Sequence, residues 1–218
     1  MSKKHKDEPI LADEMLGKSE AFVIKHRKTI TVVTTLLVAC ILGYIVYQKF
    51  VVEPREKEAQ VALYEPMYNS MIGKNADALE GAIAVIDQHD GTDAANVARL
   101  IAAGLKASEE GNYEEAIEFL EGYEGDDDIM APHVKHMLGN CYAHTGDTEK
   151  AMKLILEAAE EANNEAVTPL CWRDLAAMHE QQGNKEEAVK LYNRIKTEYP
   201  NCALVLSGEI EKQINSVK

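Results

Sequence analysis

Four side chains capable of chemistry share one short stretch: His133, His136, Asn140 and His144. Their spacing of i, i+3, i+7 and i+11 sets them on one face of a helix. Three readings compete for such a stripe. It is a polar lining that receives a peptide, a solvated or repeat-packed face, or a metal or pH-switch site. The last needs at least one further ligand, because His133-Val134-Lys135-His136 offers two imidazoles to an ion and the sequence specifies no third. The peptide-binding reading is favoured. Gly125-Asp126-Asp127-Asp128 lacks the ligand spacing of a twelve-residue calcium loop, so helix capping and solvation account for it. Cys40, Cys141, Cys171 and Cys202 show no CxxC pair and no finger spacing, and they read as small buried hydrophobes or, for the last three, as partners in at most one disulfide. No nucleophile elbow, phosphate loop, dinucleotide fingerprint or HExxH is present. The expectation is therefore no enzyme, no cofactor, no metal and no small-molecule substrate.

The elements that hold this stripe are helical. Over 218 residues, apolar content is 46%, charge 28% and net charge −14, which describes a globular protein. Acidic residues outnumber basic ones after Phe50, and such a body repels nucleic acid and anionic lipid. Ile30–Tyr47 carries no charge. With its neighbours it reaches about 20 residues, enough to span a bilayer as a helix. Lys25, His26, Arg27 and Lys28 abut its start, which places the N-terminus inside the cytoplasm and the acidic body outside it. Leu37-Val38-Ala39-Cys40 is similar to a lipoprotein cleavage site, but the chain stays apolar after Cys40, so an uncleaved signal-anchor is expected. Residues 1–28 form a cytoplasmic tail, with an amphipathic helix from Pro9 to Lys28 or a frayed segment as the alternatives. Residues 29–50 form the membrane helix.

Three stretches beyond it share a pattern: GNYEEAIEFL from Gly111, GDTEKAMKLI from Gly146 and GNKEEAVKLY from Gly183. Each opens on Gly and then Asn or Asp, and each places an Ala five residues later, at Ala116, Ala151 and Ala188. The separations of 35 and 37 residues are those of a two-helix repeat. The pattern predicts helix pairs at Ala95–Glu110 and Tyr113–Tyr123, Pro132–Thr145 and Thr148–Ala162, and Pro169–Gln182 and Lys185–Glu198. Before them, residues 53–94 read as a linker helix interrupted near Pro66, plus a helix over Asn75–Asp87. Together these make a degenerate first repeat that caps the array. After residues 95–200, a capping helix over about Ala203–Ser216 ends the chain within residues 201–218, with one apolar face.

The repeats resemble the tetratricopeptide motif. Trp172, Leu175, Ala176, Gly183, Asn184, Ala188, Tyr192 and Pro200 match it in the third copy. Leu138, Gly139, Tyr142, Gly146, Asp147, Ala151 and Ala158 match it in the second, and Leu100, Ala103, Gly104, Gly111, Asn112, Tyr113 and Ala116 in the first. The resemblance implies an all-α fold, a right-handed α-solenoid of helical hairpins, which follows the single transmembrane helix read from the apolar run. It also implies that His133, His136, Asn140 and His144 point into a concave groove and not into the core. The matching groove positions are Ile101 and Leu105 in the first repeat, with Ala98 and Ser108 or Glu109. In the third they are Arg173 and Glu180, with Leu170, Ala177 and Gln181. The groove is then apolar at one end, histidine-rich in the middle and cationic at the other. The chaperone-reading carboxylate clamp has only Asn140 and Arg173 as candidates, so that ligand is not expected.

The whole plan, with its basic Lys25–Lys28 flank, single span, Glu53–Ala59 linker and repeat body, is also similar to the YfgM-like proteins of the bacterial inner membrane. That resemblance implies protein partners: the SecYEG translocon and periplasmic chaperones. The expected function is a membrane-anchored interaction scaffold with its repeats in the periplasm. The alternatives are a general periplasmic assembly adaptor, lipidated at Cys40, and a regulatory protein that signals through residues 1–28.

Overall fold

The computed structural model describes the backbone of residues 8–109 and 111–217, and the side chains from residue 22 onward within those limits. The chain divides into two compact units, Met1–Pro54 and Arg55–Lys218.

In the first unit, α1 runs over Glu8–Tyr47 with one non-helical residue, His26. A π-helical turn, Gln48–Val52, follows. The helical stretch Phe22–Met71 is long and apolar enough to cross a membrane; its most apolar 18 residues have a mean hydropathy of 2.3, and none is buried. Thr31 and Thr35 return their hydroxyls to the carbonyls of Arg27 and Thr31. They thereby satisfy within the helix the polar groups that an apolar setting would leave unpaired. The backbone of residues 9–28 is helical apart from His26. The side chains that would make an amphipathic face before Phe22 lie outside the described residues.

The second unit is a stack of helical hairpins in which the helices between Asn75 and Glu198 each pack on the next in sequence. Its elements are α2 (Glu53–Met71), α3 (Asn75–His89), α4 (Asp93–Ser108), α5 (Tyr113–Glu121), α6 (Met130–Thr145), α7 (Thr148–Ala162), α8 (Thr168–Gln181) and α9 (Lys185–Glu198), closed by α10 (Ala203–Leu206) and α11 (Glu209–Val217). No strand occurs among the described residues. The repeated Gly-Asn/Asp pair has a clear physical role. Gly146 ends α6 in the left-handed region at φ 92°, where a Cβ would be strained. Asp147 then accepts the amide of Lys150 and starts α7. Asn112 caps α5 in the same way through Glu115 N. Asn184, in the equivalent position, makes no such cap and turns its amide to Gln182.

Ala116, Ala151 and Ala188 are each fully buried, as small residues at a close helix crossing should be. Gly139 is closer still. A Cβ built on it would lie 2.6 Å from Ile155 Cγ1 and 3.1 Å from the Ala151 carbonyl, so α6 and α7 meet at van der Waals limits.

Two expectations are corrected. Pro66 does not interrupt α2, which is continuous through it. The ring faces inward and is buried, and its Cγ lies 2.7 Å from where a Cβ on Gly81 would stand. The missing side chain of Gly81 makes room for the ring, and packing outweighs the lost backbone hydrogen bond. The C-terminal cap is not one helix. Ser207 and Gly208 separate α10 from α11, with Gly208 at φ 72°. The apolar face nonetheless forms, because Leu204, Ile210, Ile214 and Val217 are all buried in the same cluster as Trp172 and Tyr192.

Polar contacts fix α2 against the rest of this unit. Glu56 accepts the amides of Asp93 and Ala94 at the start of α4, and Arg55 donates to the Asp90 carbonyl. A carboxylate at a helix N-terminus satisfies amides that have no partner within the helix and complements the helix dipole.

Candidate interaction surface

The structure gathers three of the eight candidate residues around a fourth that the sequence pattern did not single out, Asp174. His136 on α6 places Nε2 2.7 Å from Asp174 Oδ2 on α8. An ionised carboxylate only accepts, so that nitrogen carries the hydrogen. Asn140 Nδ2 donates to the same oxygen at 3.2 Å. On the other side of the carboxylate, Arg173 contacts Asp174 Oδ1 through Nε at 2.9 Å and Nη2 at 2.8 Å, and reaches Glu209 of α11 at 3.8 Å. Burial opposes the charge on Asp174, but the hydrogen bond from His136 and the charge of Arg173 outweigh it and hold its pKa below the ordinary carboxylate value.

This arrangement corrects the expectation for His136. It is a buried residue, 5% exposed, and its ring bridges two repeats. A buried imidazole needs an acceptor, and Asp174 is the first acidic residue on the helix packed across from it. The signal in the sequence was that residue's position one place after Arg173, itself the counterpart of His136. Periodicity alone could not read a partner lying on the neighbouring repeat. Ala98 also sits in the core, fully buried.

The other candidates are spread along the array. His133 is half-buried, with its ring centroid 6.5 Å from that of His136. Burial, and secondarily His136, lowers its pKa and favours the neutral ring. His144 is exposed and stacks flat on Tyr113 of α5 at 4.1 Å, tying the first and second repeats together. Ile101 is half-buried and packs on the cluster formed by α2, α3 and α4. Leu105 is half-buried near the end of α4. Glu180 accepts the phenol hydrogen of Tyr192 at 2.6 Å. Burial and this carboxylate together raise the Tyr192 pKa. The surface is thus a polar bridge centred on Asp174, with apolar side chains on α4.

Among the described residues, no three His, Cys, Asp or Glu side chains converge as a metal site. Asp127 in the acidic loop accepts the amides of Ile129 and Met130 at the start of α6 and the hydroxyl of Tyr123, which is the capping role expected for it. Cys141, Cys171 and Cys202 are buried free thiols. A cleft of about 400 Å³ lies away from the polar bridge, lined by α2 and α3 residues including Glu65, Pro66, Asn69 and Gly81.

Comparison with known proteins agrees with this architecture. Residues 103–206 match the family model of the C-terminal domain of Suppressor of spindle checkpoint defect 1. Two solved structures of MamA are similar: one at 13% identity and TM-score 0.55, covering 73% of this chain and 85% of that one, and another at 15% and 0.52, covering 70% and 87%. A Podosopora anserina kinesin light chain structure with nearly identical TPR-like repeats aligns at 14% identity and TM-score 0.57, covering 74% of this chain and 90% of that one. No curated protein matches the chain. At these identities the structural likeness shows the fold: the body is an all-α solenoid of tetratricopeptide-like repeats.

Proposed function

We propose that this protein is a membrane-anchored interaction scaffold whose repeat body captures segments of other proteins along α4, α6 and α8. The observation that carries the reading is the Asp174-centred bridge. It locks the second and third repeats into one surface and leaves Arg173 about a third exposed, beside the half-buried His133 and Asn140. A fixed surface of this kind offers a few polar contacts to an extended or helical segment without ordering cost. The anchor is Ile30–Tyr47, and the basic flank supports a body outside the cytoplasm, in the periplasm of a bacterial inner membrane protein. The similarity of plan to the YfgM-like proteins supports the SecYEG translocon and periplasmic chaperones as the partner class. A general assembly adaptor and a regulator acting through residues 1–28 are the readings it must be separated from.

The test is crosslinking in native membranes with His133→Ala and Arg173→Ala combined, a pair that leaves the buried His136 in place. Capture of translocon or chaperone subunits is expected to fall at least several-fold while the helical circular dichroism is kept. Undiminished capture refutes the surface. A reporter fused after Lys218 is expected to be active only outside the cytoplasm, and activity only inside refutes the topology.

A further inference from the structure

The most apolar uncovered surface of the repeat body is not the α4–α6–α8 face but the outer side of α2. Val61, Tyr64, Tyr68 and Met71 are exposed by 77%, 67%, 51% and 79%. Their spacing is three, four and three, the a and d positions of two heptads. The flanking positions are exposed too: Glu58, Gln60, Glu65, Met67 and Ile72. The remaining positions turn inward, with Ala59, Leu63, Pro66 and Asn69 buried and Ala62 and Ser70 half-buried. One helix thus divides cleanly, one side committed to its own domain and the other a coiled-coil seam without a mate. Glu56 ties α2 to the first amides of α4, and Arg55 ties it to the Asp90 carbonyl in the turn before α4. Tyr64 and Tyr68 stack on each other, with centroids 6.4 Å apart and rings near parallel, so the face is already ordered.

We infer that this seam pairs with the same seam of a second copy of the chain, in parallel and in register. Three observations choose this occupant. The surface is self-complementary, since like a and d residues meet in an in-register pair. Over residues 60–72 charge favours the parallel orientation: Gln60 lies beside Glu65 of the second copy and Met67 beside its Ile72, whereas antiparallel pairing would set Glu65 against Glu65. Upstream, parallel pairing brings Glu58 beside Glu53 of the second copy, which ends the favourable stretch there. The area also suffices. Two such faces, each with two tyrosines and four aliphatic or thioether side chains, remove on the order of 1,000 Å² from water, the scale at which specific association begins. Two repeat bodies side by side would present two copies of the Asp174-centred surface, although the pairing does not depend on what that surface binds.

The test uses the full chain in mild detergent with Cys40→Ala, which removes the one exposed cysteine among the described residues and leaves three buried ones. In that background Val61→Cys and Met71→Cys are each oxidised separately, with Glu149→Cys on exposed α7 as control. Parallel pairing predicts a covalent dimer from Val61→Cys alone and from Met71→Cys alone, and none from the control. Crosslinking that appears only when the two variants are mixed means antiparallel pairing and overturns the inference, as does an absence of crosslinks. A second arm pairs Tyr64→Lys with Tyr68→Lys on the exposed seam, where the fold does not depend on them. The dimer dissociation constant is expected to rise about tenfold or more with unchanged circular dichroism. An unaltered dimer would locate the association in the membrane segment. Loss of lipid-vesicle binding without a change of dimer would assign the face to lipid. Either outcome overturns the inference.

Discussion

Gly139 offers a sharp quantitative check on the packing of the repeats. Replacing it with Ala adds one methyl, directed at Ile155 Cγ1 at 2.6 Å, the Ala151 carbonyl at 3.1 Å and the Ile155 amide at 3.3 Å. Ile155 is fully buried and two of the three contacts are backbone, so α6 and α7 must part by a few tenths of an ångström. Overpacking of this kind costs about 3 kcal/mol at its upper end, and the helix propensity gained from Gly to Ala returns about 1, leaving a net loss of about 2 kcal/mol. For a body of this size the melting temperature is expected to fall by about 4–8 °C. Gly104 is the matched control. It lies inside α4, and a Cβ there would meet nothing within 4 Å. Gly104→Ala therefore keeps the propensity gain and is expected to stabilise by up to about 1 kcal/mol. The assay is thermal unfolding followed by the fluorescence of Trp172, the only tryptophan in the chain and 4% exposed. Opposite shifts for the two variants are expected. A Gly139→Ala protein that melts at or above the wild type would refute the claim that Gly139 is there for close approach.

Two further outcomes follow from the electrostatics. The folded-state pKa of Asp174 is depressed, so its contribution to stability is whole above its unfolded value near pH 4 and is lost as pH falls below that. Asp174→Asn is expected to lower the melting temperature at pH 7 and to shrink the gap from wild type below about pH 4; an equal gap across the range would contradict the bridge. Cys171 is fully buried, and burial, with the charge of Asp174 behind it, pushes its thiol up to about 12. Cys141 and Cys202 are buried as well. An aromatic disulfide reagent at pH 8 is expected to titrate none of these three in the native fold and all of them after denaturation, and fast native labelling would refute their burial.

Much of the fold is a local property of the chain. The Gly and Asn or Asp pairs fix where one helix ends and the next begins through backbone conformation and capping, which depend on a few adjacent residues. That is why α7 and α9 fall at Thr148–Ala162 and Lys185–Glu198, where the spacing predicted them, although before α9 only the left-handed Gly183 acts and Asn184 makes no cap. The buried Ala116, Ala151 and Ala188 follow from the same phase. Pro66 misled because a proline is disruptive only in isolation, and the compensating gap at Gly81 lies 15 residues away on another helix.

The candidate surface was legible only in part. The sequence by itself determined that the first helices of the second and third repeats carry His136, Asn140 and Arg173 at corresponding places, because helical spacing assigns each residue a face. Only the tertiary structure decided what those side chains do. Asp174 on the next repeat takes the hydrogen of His136 and the charge of Arg173, turning an expected groove residue into a buried bridge. The same holds for α2: the heptad of Val61, Tyr64, Tyr68 and Met71 was present in the sequence, but which side of that helix faces its own domain is set by packing against α3 and α4. Spacing along a helix is written in the chain, whereas the identity of the neighbour across the interface is settled only when separate helices compete for the same buried surface.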